Sequence, residues 1–188
     1  MSQWGFYDIK DYVDYENLDR ARVLYKEELD IFLHDYSLVQ EIGMNLDEMY
    51  GTGFKDNWKT IPIINSDPGG IHFKKEFPKT LAMIETCRGI TNFSMNFTKP
   101  NGVIVPHQDP YDIIDGEEIK HYNCVAGVII PSDNVNECGM RFDGNDKYLH
   151  EGEWFSFHPD VRHEAWNRTD KYRLTAIATI DRRYFNES

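Results

Sequence analysis

From Ile90 onward the chain breaks into short β-rich runs, and this constrains its fold more than any other feature. The runs are Ile90–Thr98, Val103–His107, Lys120–Ile130, Met140–Phe142, Trp154–His158 and Tyr172–Asp181. Turn clusters such as Lys99-Pro100-Asn101-Gly102 and Asp143-Gly144-Asn145-Asp146 separate them. Short strands at this spacing predict a sandwich or barrel, here a mainly β jelly roll with flanking helices. Two facing sheets leave a mouth in which a small-molecule site can form.

The first half of the chain reads differently. Apolar positions Leu18, Ala21, Val23, Leu24, Leu29, Ile31 and Phe32 roughly follow helical periodicity, with Asn17 or Asp14 as the expected cap. Pro78 suits the first turn of a second helix, Pro78 to Thr86. Trp58–Ile64 reads as a strand, and Ser66-Asp67-Pro68-Gly69-Gly70 as a turn. At 188 residues the expectation is one domain, with 1–89 as helical and strand support and 90–183 as the jelly-roll core.

Composition removes several function classes. A formal charge of −12 without a basic patch argues against a nucleic-acid or anionic-membrane partner. The longest apolar run, Val125–Ile130, is far short of a membrane span. Met1 to Asp11 has no basic region followed by an apolar one, so no signal peptide is expected. Cys87, Cys124 and Cys138 are odd in number and lack zinc spacing, which points away from a disulfide framework and toward a reducing cytoplasm.

Chemistry concentrates in His107-Gln108-Asp109 and in His163. Residues two apart in a strand share a face, so His107 and Asp109 can meet one metal. Two imidazoles and one carboxylate offer Fe(II) one face of an octahedron and leave positions open. Alone, the His-x-Asp pair reads better as a surface pair in a turn-rich loop. His163 can approach His107 from a neighbouring sheet edge, and His158 competes with it for that role. In the last run Arg173, Thr175, Ile177 and Thr179 share one face of mixed polarity, while Leu174, Ala176, Ala178 and Ile180 form an apolar one. An arginine pointing into a barrel needs an anion, since an unpaired buried charge is costly. A dicarboxylate ligand would supply one through a bidentate pair. The competing partner is a surface acid such as Asp170.

From Ile90 to Asp181 the chain resembles the catalytic core of the iron(II)/2-oxoglutarate-dependent oxygenases, and among them the aspartyl/asparaginyl β-hydroxylase-like family. The residues carrying this are Pro106-His107, Gly127-Val128-Ile129-Ile130-Pro131, the run from Gly152 to Phe157, and His163-Glu164-Ala165-Trp166-Asn167 leading to Arg173-Leu174. The resemblance implies a double-stranded β-helix, the cupin-like jelly roll, with Fe(II), 2-oxoglutarate as cosubstrate and O2. It carries over His107 and His163 as iron ligands and Arg173 as the grip on the distal carboxylate of 2-oxoglutarate. Ser94 and Asn96 lie on the strand that commonly adds a polar contact to that carboxylate, and Asn123 and Thr175 complete the expected cosubstrate contacts.

The chain departs from this pattern in two places. Founding members have glycine where this chain has Asp109, and keeping the carboxylate favours hydroxylation over halogenation, which needs that place vacant for a halide. The family tends to place a basic residue and a histidine where Asn123 and Val125 stand here, with His121 on the same face. The expected reaction hydroxylates an unactivated C–H bond and releases succinate and CO2. The expected substrate is a small amino-acid-like metabolite or an amino-acid side chain. The acidic stretch Tyr111 to Glu118 reads as a lid or as a solvated loop. Two other classes compete. One is a non-catalytic cupin-like binding module with the metal lost or structural, although the missing His-x-His pair counts against a cupin isomerase or sugar binder. A zinc hydrolase could use the same three ligands but has no need of Arg173.

Overall fold

The computed structural model describes residues 6–32, 44–45, 58–65, 73–114 and 116–186. The expected turn at Ser66–Gly70 lies outside them, as does Asp115 in the acidic stretch. In chain order the elements are β1 (Phe6–Tyr7), α1 (Tyr15–Phe32), β2 (Met44–Asn45), β3 (Trp58–Ile64), α2 (Pro78–Ile84), β4 (Ile90–Thr98), β5 (Val103–His107), β6 (Asp112–Ile114), β7 (Glu117–Ile119), β8 (His121–Ile129), β9 (Cys138–Phe142), β10 (Asn145–Tyr148), β11 (Trp154–Phe157), β12 (His163–Asn167) and β13 (Arg173–Asp181). The strands form a seven-stranded sheet in the order β1-β11-β8-β13-β4-β3-β2 and a four-stranded sheet in the order β10-β9-β12-β5. Two facing antiparallel sheets with helices outside are the jelly roll that the strand spacing predicts.

Strand alternation decides what each face of the large sheet does. Leu174, Ala176, Ala178 and Ile180 on β13 join Tyr122, Cys124, Ala126 and Val128 on β8 and Phe93, Met95 and Phe97 on β4 in one buried cluster. Leu18, Ala21, Tyr25 and Leu29 enter that cluster from α1, at helical spacing. The Tyr25 hydroxyl donates to the Ile61 carbonyl at 2.6 Å, which satisfies the one polar atom this ring buries. The opposite residues of the same strands face the small sheet. There Val125 meets Ile104, Met140, Phe142, Leu149, Phe155, Phe157 and Ala165 in a second cluster.

The helices depart from their expected ends for identifiable reasons. The first begins at Tyr15, three residues before the apolar stripe. The Asp14 carboxylate accepts from the backbone and guanidinium of Arg88, and Asn17 donates to Thr86, so both expected caps serve tertiary contacts. The second helix starts with Pro78 in its first turn and ends at Ile84, not Thr86. It has no side-chain cap of its own. Glu28 on α1 serves instead, accepting from Lys79 N at 2.8 Å, Thr80 N at 3.0 Å and Thr80 Oγ1 at 2.7 Å. An acid at a helix N-terminus satisfies orphan amides and the local dipole.

Four strands, β6, β7, β10 and β12, were not expected where they occur. His163–Asn167 forms β12, in the middle of the small sheet, where the sequence suggests a loop. Its polar mixture of His163, Glu164 and Asn167 hides the alternation. Asn145–Tyr148 forms β10 from what reads as a turn cluster. Within the acidic stretch β6 and β7 pair antiparallel as a hairpin.

Candidate metal centre

His107 ends β5 and His163 begins β12, and the two are cross-strand partners. β5 is the edge of the small sheet, which is why Pro106 is tolerated in it. Beyond β5 the chain turns across the end of the sheet. The Asp109 amide donates to the Pro159 carbonyl at 2.9 Å, and the Gln108 side chain donates to the Asp160 carbonyl. These bonds fasten the Asp109 turn to the loop preceding His163.

Both rings have a fixed tautomer. His107 Nδ1 lies 2.8 Å from the Val105 carbonyl, and His163 Nδ1 lies 2.8 Å from the Val161 carbonyl. A carbonyl only accepts, so both Nδ1 atoms carry a proton, and in the neutral rings both Nε2 atoms present lone pairs. Those atoms converge on one carboxylate: His107 Nε2 is 3.4 Å from Asp109 Oδ1, and His163 Nε2 is 3.5 Å from Asp109 Oδ2. The ligand atoms of the three residues lie within 4.8 Å of one another. Two neutral imidazole nitrogens and a carboxylate oxygen, each ring held by a second hydrogen bond, fit a divalent first-row metal.

The three groups shift one another's ionisation. Burial opposes ionisation of Asp109, but the hydrogen-bonded His107 imidazole and the nearby His163 and His121 hold its carboxyl below the usual range. Burial pushes His163 down, and His107 adds to this against the pull of Asp109. The same burial acts on His107, but Asp109 and the Val105 carbonyl outweigh it and raise that ring.

A cavity of about 250 Å³ runs from these three residues inward between the sheets. Arg173 lines it and is only 3% exposed. One terminal nitrogen donates to the Trp166 carbonyl at 2.8 Å and the Gly139 carbonyl at 3.2 Å, and the other donates to Thr98 Oγ1 at 2.9 Å. Its Nε is buried without a hydrogen-bond partner among the described residues. Burial lowers its pKa to about 10, opposed by Cys138, so the group remains a cation at neutral pH. No carboxylate pairs with it among the described residues, and the competing acid Asp170 is exposed elsewhere. A buried guanidinium that has only neutral partners and borders a cavity fits an anionic ligand group.

The remaining expected contacts fall on the cavity wall in different ways. Ser94, Asn96 and Thr175 line it. With its amide oriented to suit its neighbours, Asn96 donates to Thr60 Oγ1 at 2.7 Å and accepts from Trp58 Nε1 at 3.0 Å. Asn123 also lines the cavity, but its Nδ2 donates to Asp109 Oδ2 at 2.7 Å. His158 is not part of the cluster; its ring packs edge-on against Tyr122.

Sequence reasoning missed Asn167 as a positioning residue. It is fully buried, and its Nδ2 is shared among the carbonyls of Thr98, Lys99 and Lys171. Its Oδ1 accepts from Thr169 N and Oγ1. This one amide ties the end of β12 and the start of β13 to the end of β4, and so fixes where Arg173 begins. The available signal is an asparagine just before a short turn.

The double-stranded β-helix and the two-histidine, one-carboxylate cluster at its mouth define the class: the iron(II)/2-oxoglutarate-type oxygenases. Within that class the chain belongs to the aspartyl/asparaginyl β-hydroxylase family, whose model matches residues 24–183. A curated relative, the ornithine lipid ester-linked acyl 2-hydroxylase of Rhizobium tropici, is 28% identical over 117 residues, 62% of this chain. The chain spans about two fifths of that relative's length, 39%. Among solved structures, a Pseudomonas putida prolyl-4-hydroxylase aligns over 96% of this chain and 94% of its own, with TM-score 0.53 and 16% identity. That likeness is one of fold.

Proposed function

We propose that this chain is an Fe(II)- and 2-oxoglutarate-dependent dioxygenase hydroxylating an unactivated C–H bond of a small amino-acid-like metabolite or an amino-acid side chain. The observation that carries this reading is one cavity bounded by His107, Asp109 and His163 at one part and by the unneutralised Arg173 at another. The three clustered residues would hold the iron. Arg173, backed by Thr98, would hold the distal carboxylate of 2-oxoglutarate, with Ser94, Asn96 and Thr175 beside it. Iron, 2-oxoglutarate and O2 together supply oxidative decarboxylation to succinate and CO2 coupled to hydroxylation. The chain's own part is to bind, orient and keep bulk water out.

The lipid hydroxylase relative raises an acyl chain as a second substrate class. The cavity wall is mixed: Ile104, Val125, Phe157 and Ile177 are apolar, while Asn92, Asn123, Thr179, Asp112 and His121 suit a hydrogen-bonding substrate, and these polar groups favour the amino-acid class. A single-domain enzyme of the reducing cytoplasm, acting on small molecules and not on nucleic acid, accords with three free buried thiols and the acidic charge. Among the described residues no helix is long and apolar enough to cross a membrane.

The test incubates iron-loaded protein with 2-oxoglutarate and O2, alone, with a pool of amino acids and cell extract, and with acyl lipids. Iron-dependent succinate formation and a product one oxygen heavier are expected in the amino-acid arm. Iron-loaded protein that neither binds nor turns over 2-oxoglutarate overturns the reading.

A further inference from the structure

We infer that Asn123 is a positioning residue for the metal centre, holding the Asp109 carboxylate in the plane that faces both histidines, and not a contact to the cosubstrate. This rests on the metal site proposed above. Asp109 is the one cluster member that does not belong to a strand; it follows the edge strand β5, and its side chain is 34% exposed. A short carboxylate on a turn has rotamer freedom that the two rings lack, because each ring is tied by its own Nδ1–H. Asn123 removes that freedom from the opposite side. It sits on β8, inside the large sheet between β11 and β13, and is 8% exposed.

Its amide is itself oriented. The Asp109 carboxylate only accepts, which assigns Nδ2 as its donor at 2.7 Å and leaves Asn123 Oδ1 to accept from Thr179 Oγ1 at 3.3 Å. Thr179 and Asn123 are cross-strand partners on β13 and β8, so the pair is built on the sheet's own register. The chain Thr179–Asn123–Asp109 therefore runs from the large sheet to the turn beyond β5 in the small one, and bridges the two walls of the cavity at its mouth. Its donor is neutral, so it orients the carboxylate without competing for the charge that a metal would use.

The test reads metal and cosubstrate separately, using Mn(II) as the metal. Binding is followed by electron paramagnetic resonance, and 2-oxoglutarate affinity by calorimetry at saturating Mn(II). The variants are Asn123→Leu, which keeps the volume and removes the donor, and Thr179→Val, which keeps Asn123 and frees its amide. Expected is a loss of Mn(II) affinity of about 10- to 100-fold in Asn123→Leu and a smaller loss in Thr179→Val. The affinity of the Mn(II)-saturated proteins for 2-oxoglutarate should change by less than about 3-fold. The optical spectrum of the Co(II) form should change in both variants. Unchanged Mn(II) affinity in both variants overturns the inference, and weakened 2-oxoglutarate with unchanged Mn(II) returns Asn123 to the cosubstrate. Wild-type protein that binds no Mn(II) would instead remove the metal site itself.

Discussion

His107 and His163 are cross-strand partners, with ring centroids 4.2 Å apart, although their strands belong to segments far apart in the chain. The register slips between His163 and Ala165, so the ladder is irregular where the two rings meet. Such an irregularity re-aims a side chain. His163→Ala should therefore abolish retention of Fe(II) after anaerobic loading and desalting, measured by elemental analysis. His158→Ala should retain it, since His158 packs on Tyr122 outside the cluster. Iron kept by the first variant and lost by the second would move the ligand assignment to His158.

Arg173 has two kinds of partner, and its replacement separates them. Arg173→Gln should raise the KM for 2-oxoglutarate about 10- to 100-fold, the scale of a lost charge-assisted pair. It also leaves the Trp166 and Gly139 carbonyls without their donor. A destabilisation of about 1–3 kcal/mol, seen as a lower midpoint in urea, should accompany the kinetic change. Metal content should not change. A variant with unaltered 2-oxoglutarate KM would leave the cation with a purely structural role.

Much of this could be read from sequence, for definite physical reasons. β13 alternates cleanly, so both the core face and the cavity face of Arg173, Thr175, Ile177 and Thr179 were readable before any contact was known. β5 and β4 were read to their ends, because turn residues bound them. β12 was not, because its inward residues His163, Ala165 and Asn167 are a ligand, a spacer and a polar anchor, with no apolar rhythm. The role of Asn123 was equally hidden. Its partner Asp109 is brought to it only by the closing of one sheet over the other.

Asn167 carries a prediction about stability that does not involve the metal. Asn167→Asp changes little in volume but removes a donor shared by three carbonyls and places a carboxylate against them. Unmet buried acceptors and an added buried charge should cost about 3 kcal/mol. The midpoint of thermal unfolding of the metal-free protein should fall accordingly. Weaker 2-oxoglutarate binding should follow, because the start of β13 loses its tie to β4. An unchanged midpoint would show that water or neighbouring backbone replaces the amide.

His121 predicts the direction of acid sensitivity. It is 2% exposed, and burial lowers its pKa below the ordinary histidine value of 6.5, against the opposing pull of Asp112, the Ile119 carbonyl, Asp109 and Asp181. Below pH 6.5 the unfolded chain therefore binds a proton that the folded chain resists. The stabilisation is complete above that pH and is lost as pH falls from 6.5 toward the folded value. His163 is shifted the same way, whereas the raised His107 acts in the opposite sense. Urea midpoints of metal-free protein, measured from pH 8 to pH 5, should decline below the ordinary histidine range. His121→Asn should decline less steeply, because one of the groups that must accept a proton on unfolding is gone. Equal slopes for the two proteins would show that His121 is protonated in the fold at no cost, paired with Asp112 or Asp181.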